Sequence, residues 1–467
     1  MPGARTAPLF VPDGRGRPPG RARREDRDGP DEAPVADQRA LDLTAGRRLR
    51  TRTAGVFLFL PLLTQVRLDR LVVTADYPGS EMVPAPAAIL ALLALKLLDK
   101  ERRSHIDDFN FDEALGLFAG LNILPKKSFV TDYSYRTTRE NQLGLLRGWV
   151  PALGAVLFPA ADTFSLDFHP IPYRGDPTGL DQHYLPLRGS AGPSVQTFFA
   201  LEQESRCLCY ANANLTRADQ PTEVMHFVEF WQAVTGHDPR WLYIDSKVVD
   251  YPELSRIAAR GIHFITIRRR GAAILRRLGA LPPSAWTGAV LDTAQRCHQP
   301  IRYVDEPVKL RGYEGPIRQI AVDGLGRQKL TLFLTNHPQE TARNVVIRYA
   351  GRNRVEDGLG ISVNFFHLDC LASEVRLNVD LDAVLTVLAN GCYRWLGKRL
   401  RGYEKAAPKQ LYRLFVETSG TVTVGDEEII VRLDRRSHNP ILREAALDRE
   451  VGPIPWLRGR RIRFVFD

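Results

Sequence analysis

The order of short apolar segments after Pro151 constrains the fold more strongly than any other feature of this sequence. Three strand-like segments come first, and they are predicted at Thr163–Phe168, Ser194–Leu201 and Arg206–Ala211. A predicted helix, strand, helix and strand follow, at Thr222–Thr235, Trp241–Ile244, Tyr251–Arg260 and His263–Ile267. Consecutive strands favour antiparallel pairing, whereas a strand reached through a helical crossover favours parallel pairing. We therefore expect an α/β fold in which a mixed sheet is flanked by helices.

Composition and periodicity divide the chain into six segments. Residues 1–50 are rich in Arg, Pro and Gly, which predicts a disordered leader because such a stretch buries too little apolar surface. The other segments are a helical domain (51–150), the first part of the α/β core (151–271), a β-rich insertion (272–328), the rest of the core with a long helix predicted from Gln339 to Phe366 (329–371), and a C-terminal helix and hairpin region (372–467).

The helical domain at 51–150 allows two interpretations. Helices are predicted at Ala87–Leu98 and Phe111–Leu121, and Ser128 or Thr131 is expected to cap a third. Short helices with scattered Arg and Lys suit a small DNA-binding domain, but they equally suit a helical scaffold. The sequence leaves both interpretations open.

Charge and cysteine content exclude several classes of protein. The chain has 64 basic and 54 acidic residues, a net charge of +10, which favours a polyanionic partner. Its five cysteines are too few, and odd in number, for a disulfide scaffold. The longest apolar runs, Val56–Leu63 and Ala87–Leu98, fall short of the roughly 18 residues that span a bilayer. We expect a cytoplasmic protein with no membrane association.

Two acidic residues stand in segments that otherwise have the composition of buried strands. Asp167 is flanked by Leu166 and Phe168, and Asp245 directly follows Trp241–Ile244. A carboxylate in such a strand is costly to bury without a partner. Each could pair with a nearby base such as Lys247 or Arg174, or the two could share a metal ion.

A third acid makes the metal hypothesis more specific. In the predicted long helix Tyr349, Arg352 and Glu356 fall at i, i+3 and i+7, which places them on one face. With Asp167 and Asp245, Glu356 completes a set of oxygen ligands suited to Mg²⁺ or Mn²⁺. Two such ions activate the attacking oxygen and stabilise the leaving oxygen at a phosphodiester. No Walker loop, G-x-S-x-G elbow or G-x-G-x-x-G motif offers another chemistry.

These residues resemble the DDE transposases of bacterial insertion sequences, in the large group marked by a Y-(2)-R-(3)-E-(6)-K signature. Tyr349, Arg352 and Glu356 match its first three positions, whereas the lysine position is Val363. The segments around the two aspartates, Asp167–Asp176 and Tyr243–Lys247, are similar to those around that group's first and second catalytic Asp. The likeness extends over residues 110–445.

The resemblance implies an RNase H-like core that is interrupted by a β-rich insertion. Asp167, Asp245 and Glu356 would be the catalytic residues and the ligands of two Mg²⁺ or Mn²⁺ ions. Tyr349 and Arg352 would contact DNA near the cleaved end. The implied partners are double-stranded DNA, as terminal inverted repeats and as target, and a second copy of the chain in the DNA complex. The implied location is the bacterial cytoplasm, in association with the nucleoid.

Other basic residues are candidates for DNA contact. Arg268, Arg269 and Arg270 follow a core strand near the expected site, where they could neutralise phosphates or simply form a solvated face. Lys247, two residues after Asp245, is a further candidate. Two other functions stay open: a nuclease of the same fold without strand transfer, and an inactive transposase-derived DNA-binding protein. Val363 favours the inactive form slightly, and the three acids argue against it.

Overall fold

A computed structural model describes most of the chain beyond residue 40. The described residues are 41–173, 180–185, 189–245, 250–293, 296–325, 330–352, 360–361, 364–370, 376–449 and 451–466. The protein is a mixed α/β structure with one sheet of ten strands, one sheet of four strands and an N-terminal helical region. This confirms the predicted α/β class and the N-terminal helices.

The N-terminal region begins with a strand and continues as short helices. Strand β1 (Arg48–Thr51) pairs with a C-terminal strand, so the prediction of a disordered leader as far as residue 50 was wrong at its end. The helices that follow are α1 (Leu60–Gln65), α2 (Leu68–Thr74), α3 (Ala85–Leu97), α4 (Glu113–Phe118), α5 (Lys127–Tyr133) and α6 (Arg139–Leu157).

The predicted helices at 87–98 and 111–121 correspond to α3 and to the shorter α4. Helix α4 begins at Glu113 because the carboxylate of Asp112 accepts a hydrogen bond from the backbone N–H of Leu115. Neither Ser128 nor Thr131 caps α5, which begins at Lys127 without a side-chain cap. Helix α3 is buried at every residue from Ala87 to Leu97, which is typical of a core helix.

The domain boundary predicted between residues 150 and 151 falls inside α6. Thr138 and Asn141 form a capping box at the start of this helix, which continues through Pro151 to Leu157. A proline weakens a helix interior, but here Trp149, Val150 and Leu153 are buried on both sides of it. One hydrophobic core accordingly includes residues from Leu43 to Phe466, so the helices and the sheets are not separately packed units.

The large sheet begins with the five strands that the sequence predicted and with one that it did not, β3. They are β2 (Thr163–Pro172), β3 (Gln182–Leu185), β4 (Ser190–Glu202), β5 (Leu208–Asn212), β6 (Trp241–Ile244) and β7 (His263–Ile267). Strand β4 pairs antiparallel with both β2 and β5, whereas β6 is parallel to β2 and β7 is parallel to β6. The expected change from antiparallel to parallel pairing is confirmed.

The two crossover helices are α7 (Glu223–Thr235) and α8 (Tyr251–Ala259). Side chains of β6 alternate between two cores, as the period of a strand requires, and β2 contributes to the main core. Leu166 and Ile244 belong to the main core, whereas Trp241 and Tyr243 belong to a second, smaller core.

Residues 272–328 contain the predicted β-rich segment, and its strands extend the same sheet. They begin with a helix that the sequence analysis missed, α9 (Ala272–Gly279), and continue into strands of the same sheet. These strands are β8 (Thr287–Thr293), β9 (Arg296–Lys309) and β10 (Pro316–Asp323), followed by β11 (Thr331–Thr335). Strand β11 pairs antiparallel with β7 on one side and with β10 on the other, so it joins the additional strands to the first half of the sheet.

The predicted long helix from Gln339 to Phe366 is interrupted. Helix α10 (Ala342–Ala350) starts at the cap residue Thr341 and ends at Gly351. The backbone N–H of Arg352 then bonds to the carbonyl of Tyr349 at 2.8 Å, which closes a tight turn. A Cβ at Gly351 would lie 2.9 Å from the carbonyl oxygen of Arg348, so only glycine fits this turn without a shift. Glu356 and Val363 lie outside the described residues.

The C-terminal region has the predicted long helix and hairpin. Its elements are α11 (Arg376–Arg399), α12 (Pro408–Leu411), β12 (Gly420–Val424), β13 (Glu428–Leu433), α13 (Asn439–Glu444) and β14 (Arg461–Phe466). Strands β12 and β13 are antiparallel, and the sheet order is β1–β12–β13–β14. Among the helices of the described ranges, none has the length and apolar character that crossing a membrane requires.

Candidate active site

The candidate site lies where the parallel pairing of β2 with β6 ends, within β2 and at the carboxyl end of β6. Leu166 of β2 is paired in register with Ile244 of β6, and each is followed directly by an aspartate. Side chains alternate along a strand, so Asp167 and Asp245 leave the face that Leu166 and Ile244 occupy and project together from the other face. The two acids that stood out in the sequence are therefore neighbours.

Arg352 lies between the two carboxylates. Its Nη2 atom is 3.0 Å from Oδ1 of Asp167 and 4.0 Å from Oδ2 of Asp245. Because both contacts share one nitrogen, the two oxygens are at most 7.0 Å apart. The Arg352 side chain is 6% exposed, compared with 16% for Asp167 and 29% for Asp245. The cation is thus deeper than the acids, and both carboxylates remain open to solvent on the other side.

Helix α10 holds Arg352 through Tyr349. The guanidinium carbon of Arg352 is 5.9 Å from the centre of the Tyr349 ring, and that ring packs edge-on against Phe333 of β11 at 5.4 Å. Tyr349 is 8% exposed and belongs to the smaller core. In this structure the Tyr349 ring is therefore buried against the Arg352 guanidinium and does not lie on an open surface.

A polar pair beside Gly351 completes the floor of the site. Gln203, just past β4, donates its side-chain N–H to the hydroxyl of Ser165 on β2. The Gln203 carbonyl oxygen would lie 3.4 Å from a Cβ at Gly351. The turn that carries Arg352 is therefore packed directly on the strand that carries Asp167.

His169 has a partner that the sequence analysis missed. It lies within β2, not in a loop, two residues beyond Asp167, and its Nε2 is 2.6 Å from Oδ1 of Asp369. Asp369 belongs to a short 3-10 turn, Leu368–Cys370. No motif or periodicity marks Asp369 in the sequence, because this contact joins residues that are 200 positions apart.

The three arginines after β7 differ in their surroundings. Arg268 donates from Nη1 to the side-chain oxygen of Gln319 at 2.6 Å, and Arg270 reaches the carbonyl of Leu330 at 3.4 Å. Arg269 and Arg270 are exposed, and Arg268 is half-buried. All three follow the carboxyl end of β7, the edge of the sheet where Asp245 lies. Their closeness to the acids stays a prediction, and Arg269 is one of the two exposed arginines of the run.

Trp286, in the β-rich segment, lies beside a neighbouring cation. It is partly buried against the small apolar cluster that includes Leu278, and the Arg302 guanidinium lies 5.0 Å from the centre of its ring.

Other predicted site residues cannot be located. Glu356, Lys247 and Arg174 are outside the described residues. Within the described part of the chain, no group of three or more His, Cys, Asp or Glu side chains gathers closely enough to hold a metal ion. The structure therefore brings together two of the three expected ligands, Asp167 and Asp245, with Arg352.

Comparison with known proteins adds no family. No family model matches the chain, and a search of curated protein sequences finds no significant relative. The geometry itself is informative: two carboxylates, one in β2 and one directly after β6, share a contact with a buried guanidinium, so opposite charges alternate at this edge of the sheet. Such an edge can bind a cation through the acids and a phosphate through the bases.

Proposed function

We propose that this protein is a DDE-type DNA transposase that cuts phosphodiester bonds at the ends of a mobile element and joins the resulting 3′-OH to target DNA. The observation that carries the proposal is the meeting of Asp167 and Asp245 on neighbouring parallel strands, with Arg352 within 4.0 Å of both. The strand order β5–β4–β2–β6–β7 supports it, because this is the order expected of an RNase H-like core.

The carboxylates fit divalent cations. Asp167 and Asp245 supply hard oxygen ligands that are partly open to solvent, and Glu356 would be the third ligand. Two Mg²⁺ or Mn²⁺ ions bound there would activate the attacking oxygen and stabilise the leaving oxygen. The fit rests on the chemistry of the two described ligands, which belong to one edge of one sheet.

The chain's own residues have distinct tasks in this proposal. Arg352 fixes the Asp167 carboxylate through the 3.0 Å contact and places a positive charge beside the expected position of the phosphate. Tyr349 keeps the guanidinium in place through its packed ring. The arginines at 268–270 supply positive charge along the edge where the duplex would approach. The proposed partners are duplex DNA and, to pair two ends, a second copy of the chain.

The test is a cleavage and joining assay. The full-length protein is incubated with a duplex that carries the sequence flanking its own gene, together with a second, labelled target duplex. We expect cleavage and joined products with Mg²⁺ or Mn²⁺ and none with EDTA. Cleavage without joined products would support a nuclease in place of a transposase, and cleavage that persists in EDTA would contradict the metal-dependent proposal.

A second expectation concerns the salt dependence of DNA binding. Arg269→Ala removes an exposed cation from the edge near Asp245. If Arg269 contacts one phosphate, the slope of log K against log salt should become less steep by about 0.9. Fluorescence anisotropy of a labelled duplex over a range of salt concentrations measures this slope. Arg435→Ala is the control, since Arg435 is an exposed arginine of the C-terminal region, outside the helical domain at 51–150. An identical slope change in both variants would remove the specific role of Arg269.

A further inference from the structure

A second cleft lies away from the carboxylates, between the N-terminal helices and α11. Its volume is about 320 Å³, and its walls come from α3, from α5, from the turn between α3 and α4 and from α11. None of the residues that line it belongs to the candidate active site described above. A cavity of this size is larger than an inorganic anion needs and suits a small organic ligand.

The lining of this cleft carries an excess of positive charge. Five basic residues, Lys96, Lys100, Arg102, Arg103 and Lys127, face two acids, Glu101 and Asp382. Asp382 is already neutralised, because Lys96 Nζ lies 2.5 Å from its Oδ2 and both side chains are at most 6% exposed. Glu101 is the remaining acid of the lining, and it lies 3.5 Å from Arg102. Lys100 is paired with Asp108, an acid outside the lining, at 2.9 Å. The excess positive charge of the lining therefore rests on Arg103 and Lys127, and it favours an anionic ligand.

Arg103 is the innermost cation that is not matched by a carboxylate contact. Its Nη1 donates to the Ser134 hydroxyl at 2.6 Å and its Nη2 donates to the Asn378 carbonyl at 2.7 Å, and both acceptors are neutral. Burial lowers the pKa of the Arg103 guanidinium below its ordinary value, although Asp382 acts in the opposite direction. A guanidinium that is desolvated in this way gains from an anion, and its planar shape suits phosphate.

The rest of the lining is suited to an apolar, planar group. Leu92, Leu95 and Leu385 are buried and form the floor. Tyr135 also lines the cleft, and its side chain is 61% exposed. An accessible aromatic ring above an apolar floor is a surface on which a nucleobase stacks.

We propose that this cleft binds a nucleoside monophosphate, with the phosphate beside Arg103 and Lys127 and the base against Tyr135. The ligand comes either from the pool of free nucleotides or from the phosphorylated end of a DNA strand, which has the same chemistry. The cleft contains neither Asp167 nor Asp245. The nucleotide proposal can therefore be right or wrong independently of the proposed function.

Calorimetric titration of the full-length protein tests the proposal. The probes are dAMP, inorganic phosphate and deoxyadenosine, and we expect dAMP to bind more tightly than either of the others. Lys127→Gln and Tyr135→Ala change exposed side chains, and each should weaken dAMP binding by about fivefold or more. Tyr135→Ala should leave the weaker binding of inorganic phosphate unchanged. Comparing the two probes in this variant therefore distinguishes the contribution of base stacking from that of charge.

Two controls make the result specific. Lys409→Gln removes an exposed lysine on α12, outside the cleft, and should leave dAMP affinity unchanged. Asp245→Asn should also retain dAMP binding, even where it abolishes DNA cleavage. Absence of dAMP binding up to about 10 mM, or equal affinities in all variants, would overturn the proposal.

Competition identifies the source of the ligand. A short single strand with a 5′-phosphate, compared with the same strand ending in a 5′-hydroxyl, is added to the dAMP complex. Displacement by the phosphorylated strand alone supports a DNA end as the ligand. Binding of dAMP that neither strand displaces supports a free nucleotide. Equal displacement by both strands would overturn recognition of the terminal phosphate.

Discussion

Asp245→Asn is expected to reduce DNA cleavage by at least about 100-fold and to leave the fold intact. The substitution keeps the size of the side chain but removes the negative charge on which cation binding depends. Asp245 is 29% exposed, and its contact with Arg352 Nη2 is 4.0 Å long, so its loss should cost little stability. DNA binding should persist, because the basic residues along the edge are unchanged.

A matched control distinguishes a site effect from a general effect of charge. Asp238 precedes β6 at the opposite end of the strand, is 26% exposed and pairs with Arg260. Asp238→Asn therefore removes one carboxylate of similar exposure from the segment before β6, and it should leave cleavage unchanged. Equal cleavage by wild type and Asp245→Asn would refute the assignment of Asp245 as a ligand.

Thermal unfolding gives a readout of the same site that needs no DNA. A cation that binds only the folded protein stabilises it against unfolding. Once the cation concentration exceeds Kd, this stabilisation grows with the logarithm of the concentration. Mn²⁺ should therefore raise the Tm of the wild type and of Asp238→Asn, but not that of Asp245→Asn. A similar rise in all three proteins would mean that the ion binds elsewhere.

The site could be predicted from the sequence to the extent that it depends on local pattern. Asp167 and Asp245 interrupt or follow apolar strands, and the pairing of those strands follows from the order of helices and strands. The partner of the carboxylates could not be predicted in this way. Lys247 and Arg174, the candidates that are near in sequence, lie outside the described residues. Arg352 contacts the carboxylates although it follows a helix packed on the other core, which no local pattern indicates.

The sequence-based predictions of the fold that were wrong have a common physical origin, which is contact between residues that are distant in sequence. Pro151 is a reasonable place to end a helix, but the buried side chains around it keep α6 intact. Strand β1 has little apolar pattern of its own and forms because β12, some 370 residues later, offers an edge. Helix α10 ends at Gly351, where a Cβ would lie too close to neighbouring atoms. No hydrophobic periodicity in the sequence indicates this position.

Asp380→Ala is expected to lower the free energy of unfolding by about 3–5 kcal/mol. Asp380, on α11, is fully buried, and both of its carboxylate oxygens accept hydrogen bonds from Arg139 Nη1, at 2.9 and 3.0 Å. The backbone N–H of Ala213 donates to the same carboxylate, and Arg139 also reaches the carbonyl of Ala211. One ion pair thus ties α6, the end of β5 and α11 together, and the alanine variant leaves a guanidinium that is largely buried without its counter-ion.

Urea denaturation followed by circular dichroism measures this loss as a lower midpoint at a similar m-value. Glu444→Ala is the comparison, because it breaks the pair between Glu444 and Arg401, whose side chains are 51% and 81% exposed, and should leave the midpoint unchanged. The double variant Arg139→Met/Asp380→Leu should recover much of the stability, since replacing both members of a buried pair by apolar groups removes the unpaired charge. Recovery would show that the loss in Asp380→Ala comes from the unpaired guanidinium and that apolar packing can replace the pair at this junction. A double variant that is as unstable as Asp380→Ala would instead indicate that the hydrogen bonds to Ala211 and Ala213 hold this junction together.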